Sequence, residues 1–185
     1  MSYTEIFGFT KDNNVIGIGD VRNAFRGAMA VWHTLEKKYL PTYHPSWAPM
    51  NDGKEYFRSS ALGDDKLMRE VWSLADNEKV SEVDKIALKS TFDKVIVRRE
   101  NFGRLIEAFR AFEGETSLKE QADIIEGAGP EVIAIGWNQT SVNGDTWQNF
   151  GGYDEETEES IPYNLETGED HWELFGEEDS TVSPA

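Results

Sequence analysis

Hydrophobic spacing near the N-terminus changes from strand-like to helical within the first 40 residues. β-Branched and aromatic residues in segments 4–10 and 15–18 flank the turn-prone residues 11–14, which predicts a β-hairpin. Asp20 then stands where it can cap a helix. That helix is predicted to end before Pro41. Its hydrophobic residues recur at alternating spacings of four and three: Val21, Phe25, Ala28, Trp32, Leu35 and Tyr39.

A long loop and a second helix are predicted next. Residues 41–63 contain three prolines and two glycines without a sustained period, so we expect a loop, and loops of this length are often functional. Asp64 or Asp65 can cap a helix that ends near Asn77. The apolar face of that helix comprises Leu67, Met68, Val71, Trp72 and Ala75.

Further helices are predicted between residues 81 and 127. Ser81 followed by Asp84 resembles a capping box, and an apolar stripe begins there, resumes at Val95 and continues to Phe112. Gly103 makes a break between two helices plausible near residues 98–101. A cleaner capping box, Ser117 with Glu120, opens a short helix that ends at residues 127–130.

The C-terminal half of the body carries a strong hairpin signal. An Asn-Gly pair at residues 143–144 lies between the β-prone segments 131–142 and 145–150, and Asn-Gly favours the type I′ turn of two-residue hairpins. Pairing outward from the turn places Thr140 opposite Trp147 and Trp137 opposite Phe150.

These elements predict an α+β fold. A small antiparallel sheet, formed by the N-terminal hairpin and the Asn-Gly hairpin, packs with three to five helices and is followed by an acidic C-terminal tail. We divide the chain into a single α+β domain, residues 1–152, and an acidic tail that also contains aromatic residues, residues 153–185.

Charge is distributed unevenly along the chain. The sequence has 185 residues and a formal net charge of −17, from 35 acidic and 18 basic side chains. All 18 basic residues lie at or before Lys119, where 18 acids balance them, and the other 17 acids meet no basic residue. This asymmetry suggests an interaction surface. It opposes direct nucleic-acid binding, because affinity for phosphates depends on cationic side chains.

Residues required for most catalytic chemistries are scarce. The absence of cysteine excludes disulfides, thiolate zinc sites and cysteine nucleophiles. His33, His44 and His171 show no metal-ligand spacing, so we expect structural or surface roles for them. Residues 17–20 lack the third glycine of a dinucleotide-binding loop and are interpreted as a strand–turn–helix junction. We predict no metal, no cofactor and no catalytic residue.

The acidic tail interleaves acids with apolar residues, a pattern typical of a segment that docks while it presents carboxylates. We expect Trp172, Leu174 and Phe175 to be the docking anchors. Several arginines cluster in the helical region, and ordinary ion pairs with Glu100, Glu107 and Glu113 are expected for them, with phosphate or the protein's own tail as alternatives. Those arginines are Arg98, Arg99, Arg104 and Arg110.

In charge and size the chain resembles the acidic nucleic-acid-mimic inhibitors that phages and mobile elements use against nucleases. The resemblance is compositional and covers mainly residues 120–185. It implies a non-enzymatic protein that binds a basic, nucleic-acid-binding partner through its tail. The predicted binding residues are Asp154, Glu155, Glu156, Glu158, Glu159, Glu166, Glu169, Asp170, Trp172, Glu173, Leu174, Phe175, Glu177, Glu178 and Asp179.

Two other functions stay open. The chain could be a structural or assembly subunit whose tail docks on a neighbouring chain. It could also be a small enzyme that uses the 41–63 loop as a lid, with Tyr43, His44, Asp64 and Asp65 as candidate residues. The sequence shows neither a secretion signal nor a long apolar run, so we expect a soluble cytoplasmic protein without membrane contact.

Overall fold

The computed structural model describes residues 2–23, 27–40, 65–139 and 146–176. As predicted, these residues form an α+β fold, with five helices, a five-stranded mixed sheet and a two-stranded sheet. The helices are α1 (Ala28–Tyr39), α2 (Asp65–Ser73), α3 (Glu82–Lys89), α4 (Phe102–Ala111) and α5 (Leu118–Glu126). The strands are β1 (Tyr3–Thr10), β2 (Val15–Arg22), β3 (Val95–Arg98), β4 (Val132–Gln139), β5 (Gly152–Asp154), β6 (Glu159–Ile161) and β7 (Trp172–Glu173).

The N-terminal hairpin is confirmed and is longer than predicted. β1 pairs antiparallel with β2, and the Thr10 hydroxyl accepts a hydrogen bond from the Asn14 backbone N–H at 3.2 Å in the turn. Asp20 does not cap a helix, since it lies inside β2 opposite Glu5. β2 continues past Asp20 because the next residue, the β-branched Val21, favours a strand and is buried in the core.

α1 begins later than predicted, at Ala28 after the N-cap residue Gly27, and ends at Tyr39 as expected. Near its end, the buried Asp84 of α3 accepts hydrogen bonds from Lys38 Nζ at 2.7 Å and from the Tyr39 hydroxyl at 2.5 Å. These contacts hold the two helices together. The predicted loop 41–63 and Phe25 lie outside the described residues.

In the middle of the chain the predicted start of α3 is confirmed, but one segment predicted to be helical is a strand. Ser81 caps α3 by accepting a hydrogen bond from the Asp84 N–H at 3.2 Å. Val95 was expected on a helix, but it opens β3, whose first three residues are almost completely buried. A continuous β-branched run suits a strand covered on both faces. A 3-10 turn, Arg99–Asn101, joins β3 to α4, so the predicted break between two helices near residues 98–101 is wrong: the chain changes there from strand to helix.

α2 and α5 form where they were expected. α2 ends at Ser73, and the 3-10 turn that follows it, Leu74–Asp76, stops beside Asn77, where the helix was predicted to end. The predicted capping box at Ser117 does not form, because its hydroxyl accepts from Gln121 Nε2 at 3.0 Å instead of capping a backbone N–H.

The five-stranded sheet has the order β2-β1-β4-β3-β7. Of the four strand pairs described in this sheet, β3–β7 is parallel and the other three are antiparallel. The predicted pairing of Trp137 with Phe150 is wrong, because β1 lies beside β4 and places Ile6 opposite Trp137, while residues 147–150 form turns. Thr140 and the Asn-Gly pair at 143–144 lie outside the described residues.

Both faces of this sheet are covered. Helices cover the face that includes Ile6 and Ile135. On the other face, Phe7 and Phe9 pack with the side chains of Trp147, Tyr163 and Leu165. We call this second side the aromatic face.

Close contact on the aromatic face depends on Gly136. A Cβ at this position would lie 2.7 Å from Trp147 Nε1, a distance that real Cβ atoms do not show. The same indole nitrogen donates to the Trp137 carbonyl oxygen at 2.9 Å. A glycine is therefore required where the indole rests against the sheet.

The described part of the predicted tail, residues 153–176, lies against the body. It buries Tyr163 and Leu165 on the aromatic face, and β7 adds a strand beside β3. The Leu174 N–H continues this pairing by donating to the Ile96 carbonyl at 2.9 Å. A domain boundary at residue 152 stays a prediction, but the residues after it contribute to the same core as those before it.

Candidate functional site

The most concentrated acidic surface is a short hairpin, which we call the acidic hairpin, residues 152–161. β5 pairs antiparallel with β6, with Gly152 opposite Ile161 and Asp154 opposite Glu159. Five of the six residues from 154 to 159 are acidic: Asp154, Glu155, Glu156, Glu158 and Glu159. All of these except the half-buried Asp154 are exposed.

Asp154 organises the loop of the acidic hairpin. Its Oδ1 accepts hydrogen bonds from the backbone N–H groups of Glu156 at 2.8 Å and Thr157 at 3.3 Å. These two bonds lower the pKa of Asp154 below its ordinary value. Glu158 completes the turn with a φ of 56°. The other carboxylates are thus presented from a turn of defined shape.

Two apolar side chains beside these acids are exposed. Tyr153 is 59% exposed and Ile161 is 42% exposed, and they are the exposed large hydrophobic residues of the described chain. Neither is among the binding residues predicted from the sequence. The sequence signal for this hairpin is weak, because Tyr153 and Ile161 favour a strand but the Gly, Asp and Glu residues beside them do not.

The other predicted acids divide into exposed and paired groups. Glu166 and Glu169 are exposed. Asp170 lies 3.5 Å from Lys94 Nζ, and Glu173 accepts from Arg98 Nη2 at 2.6 Å. Basic residues of the chain itself therefore partly neutralise two of the carboxylates that were predicted to contact a partner. Glu177, Glu178 and Asp179 lie outside the described residues.

The three predicted docking anchors pack on the protein's own body. Leu174 is 1% exposed, so it is not available to a partner, and the prediction is wrong for this residue. Trp172 Nε1 donates to the Asp93 carbonyl at 3.1 Å, and the Arg104 guanidinium lies 4.4 Å from the centre of the Phe175 ring. These side chains are half-buried because they cover the edge of the sheet beside β3.

The clustered arginines form ion pairs and hydrogen bonds with residues other than the predicted glutamates. Arg104 pairs with Glu82, and Arg110 pairs with Asp123 and Glu126, across helix–helix contacts. Arg98 contacts the C-terminal segment, as one alternative anticipated. Arg99 donates to the backbone carbonyls of Gly129 and Val132, both at 2.7 Å. None of the pairs with Glu100, Glu107 or Glu113 forms among the described residues.

His171 has a structural contact on the aromatic face. Its Nδ1 lies 2.8 Å from the hydroxyl oxygen of Tyr163, and partial burial lowers its pKa. The candidate residues of the enzyme hypothesis, Tyr43, His44 and Asp64, lie outside the described residues, as does the side chain of Asp65. In the part of the chain that the structure describes, no three His, Asp or Glu side chains group as a metal site.

Comparison with known proteins gives no family. No protein-family model matches the chain, and neither curated proteins nor solved structures match it. Within the described ranges, no helix is long and apolar enough to cross a membrane.

Proposed function

We propose that this chain is a non-enzymatic binding protein that engages a basic, nucleic-acid-binding partner protein through the acidic hairpin. The observation that carries this proposal is the combination of exposed carboxylates at residues 155–159 with the exposed Tyr153 and Ile161 on one short hairpin. Inhibition of a nuclease by nucleic-acid mimicry, as in phage or mobile-element proteins, is the biological role that fits this chemistry. A cytoplasmic location belongs to the same proposal.

Each component of the hairpin has a distinct role in such binding. The carboxylates create a negative potential that attracts a basic surface over several ångströms and raises the association rate. A half-exposed tyrosine supplies apolar area together with a hydroxyl, and such side chains commonly dominate binding energy in interfaces. The internal hydrogen bonds of Asp154 keep the loop ordered before binding, which reduces the entropy lost on association.

The test compares two variants of equal charge. Glu155→Gln/Glu156→Gln/Glu158→Gln neutralises the hairpin, and Glu107→Gln/Glu113→Gln/Glu115→Gln neutralises three exposed acids elsewhere. Binding of purified basic nucleases and other basic nucleic-acid-binding proteins is measured by calorimetry. We expect the hairpin variant and Tyr153→Ala to weaken binding at least tenfold and the control variant to change it much less. Wild-type affinity should fall steeply as ionic strength rises above about 0.1 M, where the Debye length is about 10 Å.

Equal losses in the hairpin and control variants would refute the proposal, because general charge would then explain binding. Poly-lysine serves as a reference ligand that should not distinguish the two variants. Truncation at Gly152 is not a suitable test, since it would remove the buried Tyr163, Leu165 and Leu174 from the core.

A further inference from the structure

β2 forms one edge of the five-stranded sheet in the part of the chain that the structure describes. It is eight residues long, whereas β7, at the opposite edge, has two. Proteins usually protect a long edge strand with lysine, proline or a bulge, because its open N–H and C=O groups can pair with another chain. β2 contains neither lysine nor proline. Its bulge, where the register shifts between Ile6 and Phe7 of β1, leaves residues 19–22 regular, and we call these four residues the β2 edge.

The backbone groups of Asp20 and Arg22 face away from β1. The Asn23 N–H donates to the Ser2 carbonyl at 3.0 Å, so the backbone of Asn23 is directed toward the N-terminal strand. In an antiparallel pair this direction alternates from one residue to the next, and the register with β1 is unbroken across residues 20–22. Val21 therefore bonds to β1, while Asp20 and Arg22 present their N–H and C=O groups on the outer side of β2.

The side chains of Asp20 and Arg22 lie on one face of the sheet, because the two residues are two positions apart in a strand. Both side chains are exposed, and neither makes an ion pair within the described ranges. The β2 edge thus carries an acid and a base at successive outward-bonding positions, on either side of Val21. A strand with this arrangement is complementary in charge to a second copy of itself that runs in the opposite direction.

We propose that two copies of this chain pair antiparallel through the β2 edge, with Val21 of each copy at the two-fold axis. A two-fold interface requires a surface that is complementary to itself. In this register Asp20 of each copy lies opposite Arg22 of the other. Both are outward-bonding positions, so each such pair exchanges N–H···O=C bonds in both directions. Their Cβ atoms would lie about 5 Å apart, which is within reach of an ion pair.

Neighbouring registers are less favourable than this one. A pair centred on Asp20 places two aspartates opposite each other, and a pair centred on Arg22 does the same with two arginines, and like charges directly opposite destabilise a sheet. A pair centred on Gly19 extends into the bulge, where the ladder is interrupted. The ion pairs therefore select the register, while the backbone hydrogen bonds hold the two edges together.

The net charge of each copy does not prevent this contact. β7, which belongs to the acid-rich segment, lies at the opposite edge of the sheet, four strand spacings of about 4.8 Å from β2. At about 0.15 M salt, exposed charges more than about 8 Å apart are largely screened. The interface is small, and small interfaces form transient complexes, so the dimer should dissociate on dilution. It does not involve the acidic hairpin, so its outcome is independent of the proposed function.

The experiment measures self-association of the full chain by sedimentation velocity over a range of protein concentrations, at about 0.15 M salt. We expect a monomer–dimer equilibrium for the wild-type protein. Asp20→Arg and Arg22→Asp each place like charges opposite each other in both pairs, so each should weaken dimerisation at least tenfold. The matched controls Asp12→Arg and Lys11→Asp make the same changes of charge in the exposed turn before β2 and should leave dimerisation unchanged.

A mixture of the two edge variants gives the sharpest result. When Asp20→Arg is mixed with Arg22→Asp, an arginine lies opposite an aspartate in both pairs, so heterodimers should form although neither variant dimerises alone. The double variant Asp20→Arg/Arg22→Asp should dimerise like the wild-type protein, which shows that the single variants are folded. A wild-type protein that stays monomeric, unchanged dimerisation in the edge variants, equal losses in the controls, or a mixture that does not associate would each overturn the proposed interface.

Discussion

Replacing Trp147 by alanine should be among the most destabilising changes in the acid-rich part of the chain. The indole is 1% exposed, and its ring centre lies 5.2 Å from those of Phe9, Phe150 and Tyr163. Truncating a buried Trp costs about 3–5 kcal/mol, because the lost contacts leave a cavity. In a protein of this size 1 kcal/mol corresponds to roughly 2–4 °C, so the unfolding temperature should fall by about 6–20 °C.

The assay is thermal and urea unfolding followed by circular dichroism, with two reference variants. Tyr153→Ala removes an aromatic ring from the same segment, but that ring is largely exposed, so the free energy of unfolding should change by less than about 0.5 kcal/mol. Trp147→Phe keeps an aromatic ring and loses the hydrogen bond to the Trp137 carbonyl, so it should fall between the two. If Trp147→Ala and Tyr153→Ala unfolded at the same urea concentration, the aromatic face would not be part of the core.

Four further substitutions test the fold and its pH dependence. Gly136→Ala should destabilise the protein by about 1–3 kcal/mol, because the added methyl group would overlap the Trp147 indole. Gly103→Ala, at an open position of α4, should stabilise it by about 0.5–1 kcal/mol. The midpoints of urea unfolding compare the two variants with the wild-type protein. Burial alone would raise the pKa of Asp84, but hydrogen bonds from Lys38 and two hydroxyl groups lower it below 3.8. Its stabilising contribution is therefore present above pH 3.8 and is lost as the pH falls through the lower folded-state value, and Asp84→Asn should remove this part of the acid dependence in urea unfolding. Burial lowers the pKa of His171 below 6.5, so the unfolded chain binds its proton more tightly and stability should fall as the pH drops through 6.5. His171→Asn should remove that slope in thermal unfolding.

Local signals in the sequence predicted the elements that depend on neighbouring residues. The turn at residues 11–14 and the cap at Ser81 were predicted because their hydrogen bonds join nearby positions. β3 was missed, since a short buried strand and a segment of buried helix show the same apolar run. The pairing of β4 was wrong because Asn-Gly is a local signal, whereas the strand that lies beside β4 comes from the start of the chain.

For the candidate site, the sequence predicted where the acids are concentrated but not which apolar residues stay exposed. Leu174 and Tyr153 look alike in a pattern of acids interleaved with apolar residues. One is buried beside β3 and the other projects from the acidic hairpin. Only the tertiary fold distinguishes a residue that packs on its own body from one available to a partner.

The strand order has a consequence for biosynthesis. β1 is made first, but its neighbour β4 comes from residues 132–139, and β7 closes the edge beside β3 with almost the last described residues. Sheets built from such distant segments fold slowly, because a long loop must close before its contacts form. The emerging chain therefore exposes one edge of β1 until β4 has been made, and one edge of β3 until β7 has been made. Nascent chains should become protease-resistant only after residue 174 has left the ribosome.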